Sequence, residues 1–479
     1  MNLPLKYYVK NCIPILLIMA AITGCKKYVE VEPPITSSTN KLIYSTDADA
    51  TSVLTNLYIS LSESSIRSTD NLTSVSLFAG LSADELSLLP GVGDQAFVAH
   101  YTNSLSNSVG GLPNYWSKAY NMIYVCNSAI EGLSESKTLI PKVKNELLGE
   151  AHFMRAFLYF YLSNLYGDIP LNLTTDYKAN SVRSRSDRKT INAQIISDLT
   201  EAKKLLSNEY RTYKHEVSLE RVRPNKFAAI AMLARVYLYS GDYSAAESEA
   251  SAIIENPMYR ITDIDETFTA NSDETIWAIK PVRDFGVTNT SEADFFIPNE
   301  VDLNFPVDNF PVHLNPQFLS HFSTDDKRYV KWTSEITLGS TPYRYVTKYK
   351  NDSPDSEVTE YPIVLRLAEQ FLIRAECRAQ RGALNGVNSA ESDLNVIRTR
   401  AGLGNLEFVP DKQLLLNEIL NERQRELFTE WGHRWLDLKR TGRADQVLGI
   451  VKGTYWQPSD QYYLIPQEEL DRNPNIGSN

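Results

Sequence analysis

Cysteine is almost missing from this chain: four occur in 479 residues, at positions 12, 25, 126 and 377. The first two lie close to the N-terminus, so the body holds only Cys126 and Cys377, enough for one disulfide at most. Stability must therefore come from burial, and a chain of this length can bury a sizeable core in more than one packing unit. Histidine is equally sparse. Its six copies, at 100, 152, 215, 313, 321 and 433, are scattered, with no His-Glu-x-x-His or Cys-x-x-Cys spacing. A P-loop and a Gly-x-Ser-x-Gly elbow are also missing, which removes the usual signatures of nucleotide and serine-hydrolase chemistry. Positive charge is in deficit, with 48 basic against 59 acidic residues and a net charge of −11. Such a body repels nucleic acid and anionic lipid headgroups, so neither is expected as a partner.

Long apolar runs are lacking too. The one near the N-terminus, Ile13 to Ile22, is about half the length of a membrane-spanning helix. It comes after Lys6 and Lys10 and leads into Ile22-Thr23-Gly24-Cys25. A positive n-region, a short apolar stretch and small residues before a cysteine resemble a bacterial lipoprotein signal. Residues 1–24 then form the signal peptide, Cys25 is acylated, and lipid rather than charge holds the body to a membrane surface. Residues 25–44, with Pro33-Pro34 and a Ser/Thr cluster, read as an extended tether.

From Asp47 onward helical periodicity dominates the chain. Ala50, Val53, Leu54, Leu57 and Tyr58 mark a first helix, and others are expected at 115–133, 142–166 and 189–206. In 142–166 a single stripe is visible, Leu147, Ala151, Met154, Leu158, Tyr161 and Leu165, stopped by Gly167-Asp168-Ile169-Pro170. The clearest unit lies at 225–255: Leu233, Ala234 and Tyr237, a Gly241-Asp242-Tyr243 turn, then Ala246, Ala250 and Ile253. Small residues let antiparallel helices approach and tyrosine fills the gap, a spacing that resembles a tetratricopeptide repeat. A second such pair runs over 364–400, and final helices over 411–430 and 431–440. Residues 64–113 show no sustained period and read as long loops with short helical pieces. Residues 258–360 alternate Thr/Val/Tyr-rich segments with Pro, Asn, Asp and Gly, the pattern of irregular structure with short strands. Tyr462 to Pro466 reads as a short closing strand. The predicted fold is mainly α: a tetratricopeptide-like helical-hairpin scaffold carrying an irregular region with short strands. Its parts are the signal and tether, an N-terminal helical region over 45–257, the insertion over 258–360 and a C-terminal helical region over 361–479.

Glu422, Arg423, Glu426, Glu430, His433, Arg434 and Asp437 suggest an acid–base cluster at first sight. Their spacing suggests ion pairs between stacked helices instead, with Arg155, Arg374, Arg398 and Arg400 as partners. Asp263-Ile264-Asp265-Glu266 offers hard oxygens suited to calcium, but no cation-loop motif surrounds it, and a solvated acidic loop is the plainer reading. No cofactor is expected.

The ordered set of segments resembles the SusD-like (RagB/SusD) nutrient-binding lipoproteins of the Bacteroidetes outer membrane nearly end to end. The carriers are the Cys25 lipobox, Gly149 to Ala156, Tyr166 to Leu171, Ala234 to Tyr239, Arg366 to Glu369 and Arg374 to Glu376. Sharpest are Leu394 to Leu403, Glu422-Arg423, Glu426 to Phe428 and Glu430 to Arg440. One departure is Leu464 before Ile465-Pro466, where the family usually has Pro-Ile-Pro. The resemblance implies a looped glycan-binding face on a tetratricopeptide-like scaffold. It also implies a lipid anchor in the outer membrane, with the body facing the exterior as a lid on a SusC-like TonB-dependent barrel. On that reading the protein captures an oligosaccharide without catalysis. A structural module of the same complex, or a binder of another nutrient, stays open.

A sugar ring lays its axial C–H groups on an aromatic face and offers hydroxyls to polar side chains. Aromatics on helix stripes (Tyr161, Tyr237, Trp435) read as packing, as does Trp116 at a helix start. Aromatics among polar loop residues are the binding candidates: Phe97 and Tyr101 in the first irregular region, and Phe285, Phe295, Phe296 and Phe310 in the second. Gln95, Arg283, Asp308 and Asn309 are their polar partners.

Overall fold

A computed structural model describes residues 42–477, apart from 63–64, 107–114, 283–288, 300–303, 305, 354–356 and 407. The signal, the tether as far as residue 41 with Cys25, and the candidates Arg283 and Phe285 lie outside the described residues.

The architecture is mainly helical. The first half contains α1 (Asp47–Ser62), α2 (Val75–Ser82), α3 (Gln95–Tyr101), α4 (Tyr115–Glu135), α5 (Pro141–Tyr166), α6 (Arg188–Leu205), α7 (Lys226–Ser240) and α8 (Tyr243–Ile254). After α9 (Ser291–Phe296) come α10 (Leu367–Gln380), α11 (Ala390–Arg400), α12 (Lys412–Leu427) and α13 (His433–Arg440). Packing proceeds in chain order: α4 on α5, α5 on α6, α6 on α7, α7 on α8, then α8 on α10, and α10 on both α11 and α12. The hairpin read at 225–255 is there. Asn225 caps α7 by accepting from the Phe227 and Ala228 amides, Gly241 ends it at φ +77°, and Asp242 caps α8. Glycine suits that left-handed position because it has no Cβ to clash.

Helix α5 is the axis. Every residue from Phe153 to Tyr166 is buried, so the helix is enclosed all round rather than along one stripe, as suits a helix with neighbours on every side. Among the described residues of 64–113, read as long loops with short helical pieces, the longer pieces are α2 and α3. All eight residues of α2 are buried, and such a helix has no polar face to give it a readable period. Gly432, at φ +67°, lets the 431–440 segment touch it: a Cβ there would sit 2.8 Å from Val75 Cγ1 and 2.9 Å from the Ala79 Cβ. The expected strand at 462–466 does not form, yet the segment does close on α5, with the Tyr463 amide donating to the Leu165 carbonyl at 2.8 Å.

Six short strands serve the insertion and its contacts. β1 (Leu86–Leu88) pairs antiparallel with β3 (Val312–Leu314), and β2 (Thr275–Ala278) with β6 (Ile363–Arg366). β4 (Thr333–Leu338) and β5 (Thr341–Val346) make a hairpin. The β1–β3 pair brings together two irregular regions that are far apart in sequence. Cys126 and Cys377 are both buried and free.

The charged signature of α12 and α13 is a buried lattice. Glu426 accepts from Arg366 (2.6 Å) and Arg328 (2.9 Å) and pairs with Arg400. Arg366 also reaches Glu274 and Glu430, and Lys348 reaches Glu430. Arg328 adds Asp326 and Glu422, and Arg425 adds Glu422. Cations and carboxylates therefore balance in the interior. Of the partners expected for Glu422 and Glu426, Arg400 is one and Arg398 stands 3.9 Å from Glu422. Arg155 instead meets Asp198 and Arg374 meets Asp393, because each lies between different helices. Burial alone would raise the carboxyls of Glu422, Glu426 and Glu430, but the surrounding cations overcome it and hold all three below the usual range. Removing one member of such a lattice strands charges out of water. Arg366→Met should cost about 3–5 kcal/mol in urea unfolding, whereas a loss under about 1 kcal/mol would show the lattice to be dispensable.

Candidate ligand-binding rim

The predicted binding residues come together, though not as an open platform. Phe97 sits on α3 and Phe295 and Phe296 on α9, with Phe97 and Phe295 stacked at 6.1 Å between ring centroids and Phe295 edge-on to Phe296 at 5.2 Å. Phe310 packs against Tyr345 of β5 at 5.8 Å. All four phenylalanine rings are buried. This corrects the reading of them as faces presented to a sugar. In helices of six or seven residues a phenylalanine among polar neighbours looks loop-borne, while the core takes the ring for its area.

The outer side is polar and partly aromatic. Arg67 lies over the Phe97 ring at 5.6 Å and donates to the Asp308 carbonyl at 2.5 Å, so the first irregular region is tied to the second. Asp308 and Gln95 are exposed and Asn309 is half-buried. Tyr101, half-buried, is covered on one side by Lys452, whose Nζ stands 4.3 Å from the ring centroid and donates to the Leu81 carbonyl. Burial pushes the Lys452 ammonium down to about 7. Tyr343 and Tyr345, two apart on β5, share one face of the hairpin and are half-buried. Tyr343 packs edge-on to His313 of β3 at 4.9 Å. Sequence reading missed Arg67, Tyr343 and Tyr345. The alternation of Tyr343, Arg344 and Tyr345 in a strand was the available signal.

The region that first suggests an acid–base cluster is committed to other partners. Its carboxylates are locked in ion pairs, and burial plus nearby arginines push His433 well below its ordinary range. Asp265, in the loop considered for calcium, is engaged by Lys331 and Lys350 at 2.8 and 2.9 Å. Among the described residues no group of three or more His, Cys, Asp or Glu is placed to hold a metal. No described helix is long and apolar enough to cross a membrane.

Comparison with known proteins agrees with this architecture. A family described as "Starch-binding associating with outer membrane" matches residues 27–238, and the SusD family matches residues 321–479. SusD-like protein P2 of Formosa agariphila is 26% identical over 98% of this chain and 99% of its own length. A SusD superfamily protein from Bacteroides vulgatus superposes with a TM-score of 0.76 at 22% identity, covering 90% of this chain and 98% of that one. Surface glycan-binding protein A from Bacteroides thetaiotaomicron, solved in complex with laminarihexaose, gives 0.74 at 21%, covering 91% and 99%. The fold is the tetratricopeptide-like helical scaffold of these structures. The chain belongs to the SusD-like family.

The buried groups beneath the rim carry two expected outcomes. Phe295→Ala should cost about 3–5 kcal/mol of stability in denaturant melts, as for a core ring, and a change within about 0.5 kcal/mol would show that the ring is not core. Burial and neighbouring Asp84 push the Glu85 carboxyl, at the foot of β1, up to about 8 from 4.5. The folded chain thus holds a proton that the unfolded chain releases, so this stabilisation is full below about pH 4.5, falls as pH rises and is gone above about 8. Glu85→Gln should lose less stability than the parent between about pH 5 and 9 in thermal melts at matched pH; parallel curves would rule out the protonated carboxyl.

Proposed function

We propose that the protein is a cell-surface lipoprotein that captures an oligosaccharide at this rim and passes it to a SusC-like TonB-dependent barrel in the outer membrane. What supports this is the convergence of two irregular regions on one polar, tyrosine-bearing edge, in a family described as starch-binding with a structural neighbour that binds laminarihexaose. Tyr101, Tyr343 and Tyr345 supply ring faces. Arg67, Gln95, Asp308 and Asn309 supply hydroxyl partners, while the candidates Arg283 and Phe285 lie outside the described residues. Phe97, Phe295, Phe296 and Phe310 buttress it from within. The protein works without breaking a bond: the carboxylates of its charged signature are neutralised by cations rather than poised in a cleft as a glycosidase pair. Acylated Cys25 would anchor it, with the body facing the exterior, and the energy for import comes from the barrel.

The test is titration calorimetry with maltohexaose, cellohexaose and laminarihexaose. Replacing Arg67, Tyr343 and Tyr345 together with alanine should weaken whichever binds at least about tenfold, equivalent to about 1.4 kcal/mol. Unchanged affinity would remove the rim from the reading, and failure to co-purify with a β-barrel from outer membranes would remove the partner.

A further inference from the structure

A second concave site lies away from the rim, where the start of α4, the segment 170–181 and the C-terminal residues 469–476 meet. Its volume is about 400 Å³, within the range of small-molecule sites. Trp116 and Tyr120 form its inner wall, tilted against each other with centroids 4.9 Å apart. That wall is fixed: Tyr120 donates to the Pro170 carbonyl at 2.6 Å, and Trp116 packs edge-on to Tyr166 at 5.2 Å. The mouth carries two more rings, Tyr124 and Tyr177, exposed by 45% and 66%.

The polar lining is rich in amides, from Asn121, Asn172, Asn180 and Asn473. Two of these are unfinished. The side-chain oxygens of Asn172 and Asn180 are buried and accept no hydrogen bond from the described residues, although the Asn180 amide nitrogen donates to the Thr174 carbonyl at 2.8 Å. A buried acceptor left unmatched is costly, and a ligand that donates hydrogen bonds relieves the cost. The charged pair on the lining, Glu469 and Arg472, is mutually engaged at 3.2 Å, so the lining carries no net charge to select an ionic ligand.

We propose that this cleft is a second binding site for a neutral saccharide, built from the exposed rings of Tyr124 and Tyr177 and the unmatched amide oxygens of Asn172 and Asn180. Hydroxyl donors meet the amide oxygens, the C–H face of a pyranose lies on a tyrosine ring, and absence of net charge matches the paired lining. A flat apolar ligand would leave the amides unmatched, and an anion would find Arg472 already engaged. The size admits a short saccharide, so the cleft takes one end of a chain rather than its whole length. It is a site separate from the rim and does not depend on the rim's role.

The experiment uses saturation-transfer difference NMR and titration calorimetry on the full chain. The probes are maltose, cellobiose, laminaribiose, xylobiose and mannobiose. Tyr124→Ala/Tyr177→Ala removes two exposed rings and should leave the melting temperature unchanged. The expected result is that at least one disaccharide binds, that this double variant weakens it at least about tenfold, and that the Arg67/Tyr343/Tyr345 triple alanine variant leaves it within about twofold. Asn172→Leu should weaken it in the same direction. Binding lost in the rim variant but kept in the cleft variant would overturn the cleft site and leave the rim reading standing. No binding of any of the five would overturn the assignment of the cleft to neutral saccharides, while the hexasaccharide titrations judge the rim separately.

Discussion

The interior of this molecule depends on Glu426. Its carboxylate is fully buried, and three arginines converge on it from different parts of the chain: Arg328 from the insertion, Arg366 from the junction of β6 and α10, and Arg400 from the end of α11. Coulomb attraction in a poorly polarisable interior is strong, but so is the cost of removing each ion from water. The arrangement is tolerable only because it is balanced and well bonded, with Glu274, Glu422, Glu426 and Glu430 each shared between guanidinium or ammonium groups. That requirement ties α12, β6 and the insertion together through charges that must meet.

A second constraint is aromatic. Neighbouring rings run in sequence from Phe296 through Phe295, Phe97, Phe78, His100, Tyr463, Tyr166 and Trp116 to Tyr120, successive centroids standing between 4.6 and 6.2 Å apart. The rim and the second cleft thus sit at opposite ends of one packed file. Rings of this size interlock with little free volume, so each ring in the file is held by its immediate neighbours. His100 belongs to the file as a neutral ring, since burial pushes it down to about 4.

The helical frame was legible from residues because most helices have one buried and one wet face. The hairpin at 225–255 showed its alanines, its Gly241 turn and its tyrosine, and the helix read at 189–206 forms over Arg188–Leu205. Helix α2 was hidden for the opposite reason: Val75 to Ser82 is buried on every side, so no polar residue recurs to mark a turn. The rim was legible in its parts and misread in its chemistry. Phe97, Phe295 and Phe310 do lie where the two irregular regions meet, but sequence shows neither which way a ring turns nor that Arg67 ties the two regions by bonding to a backbone carbonyl. The ion lattice was half legible: the anions on α12 declared themselves by i, i+4 spacing, while Arg328, Lys348 and Arg366 come from segments with no periodic relation to them.

Because Glu426 and Glu430 also draw counter-ions from 60 to 98 residues earlier in the chain, the last helices reach their full set of charge partners only once the insertion is in place. Closing such wide loops is slow, and the reward arrives only when charges from both sides meet. The C-terminal segment therefore acts as the keystone of assembly. A chain cut short before residue 411 would keep Arg328, Arg366 and Arg400 as interior cations without the carboxylates that let them leave water, and would stay open to proteases until degraded.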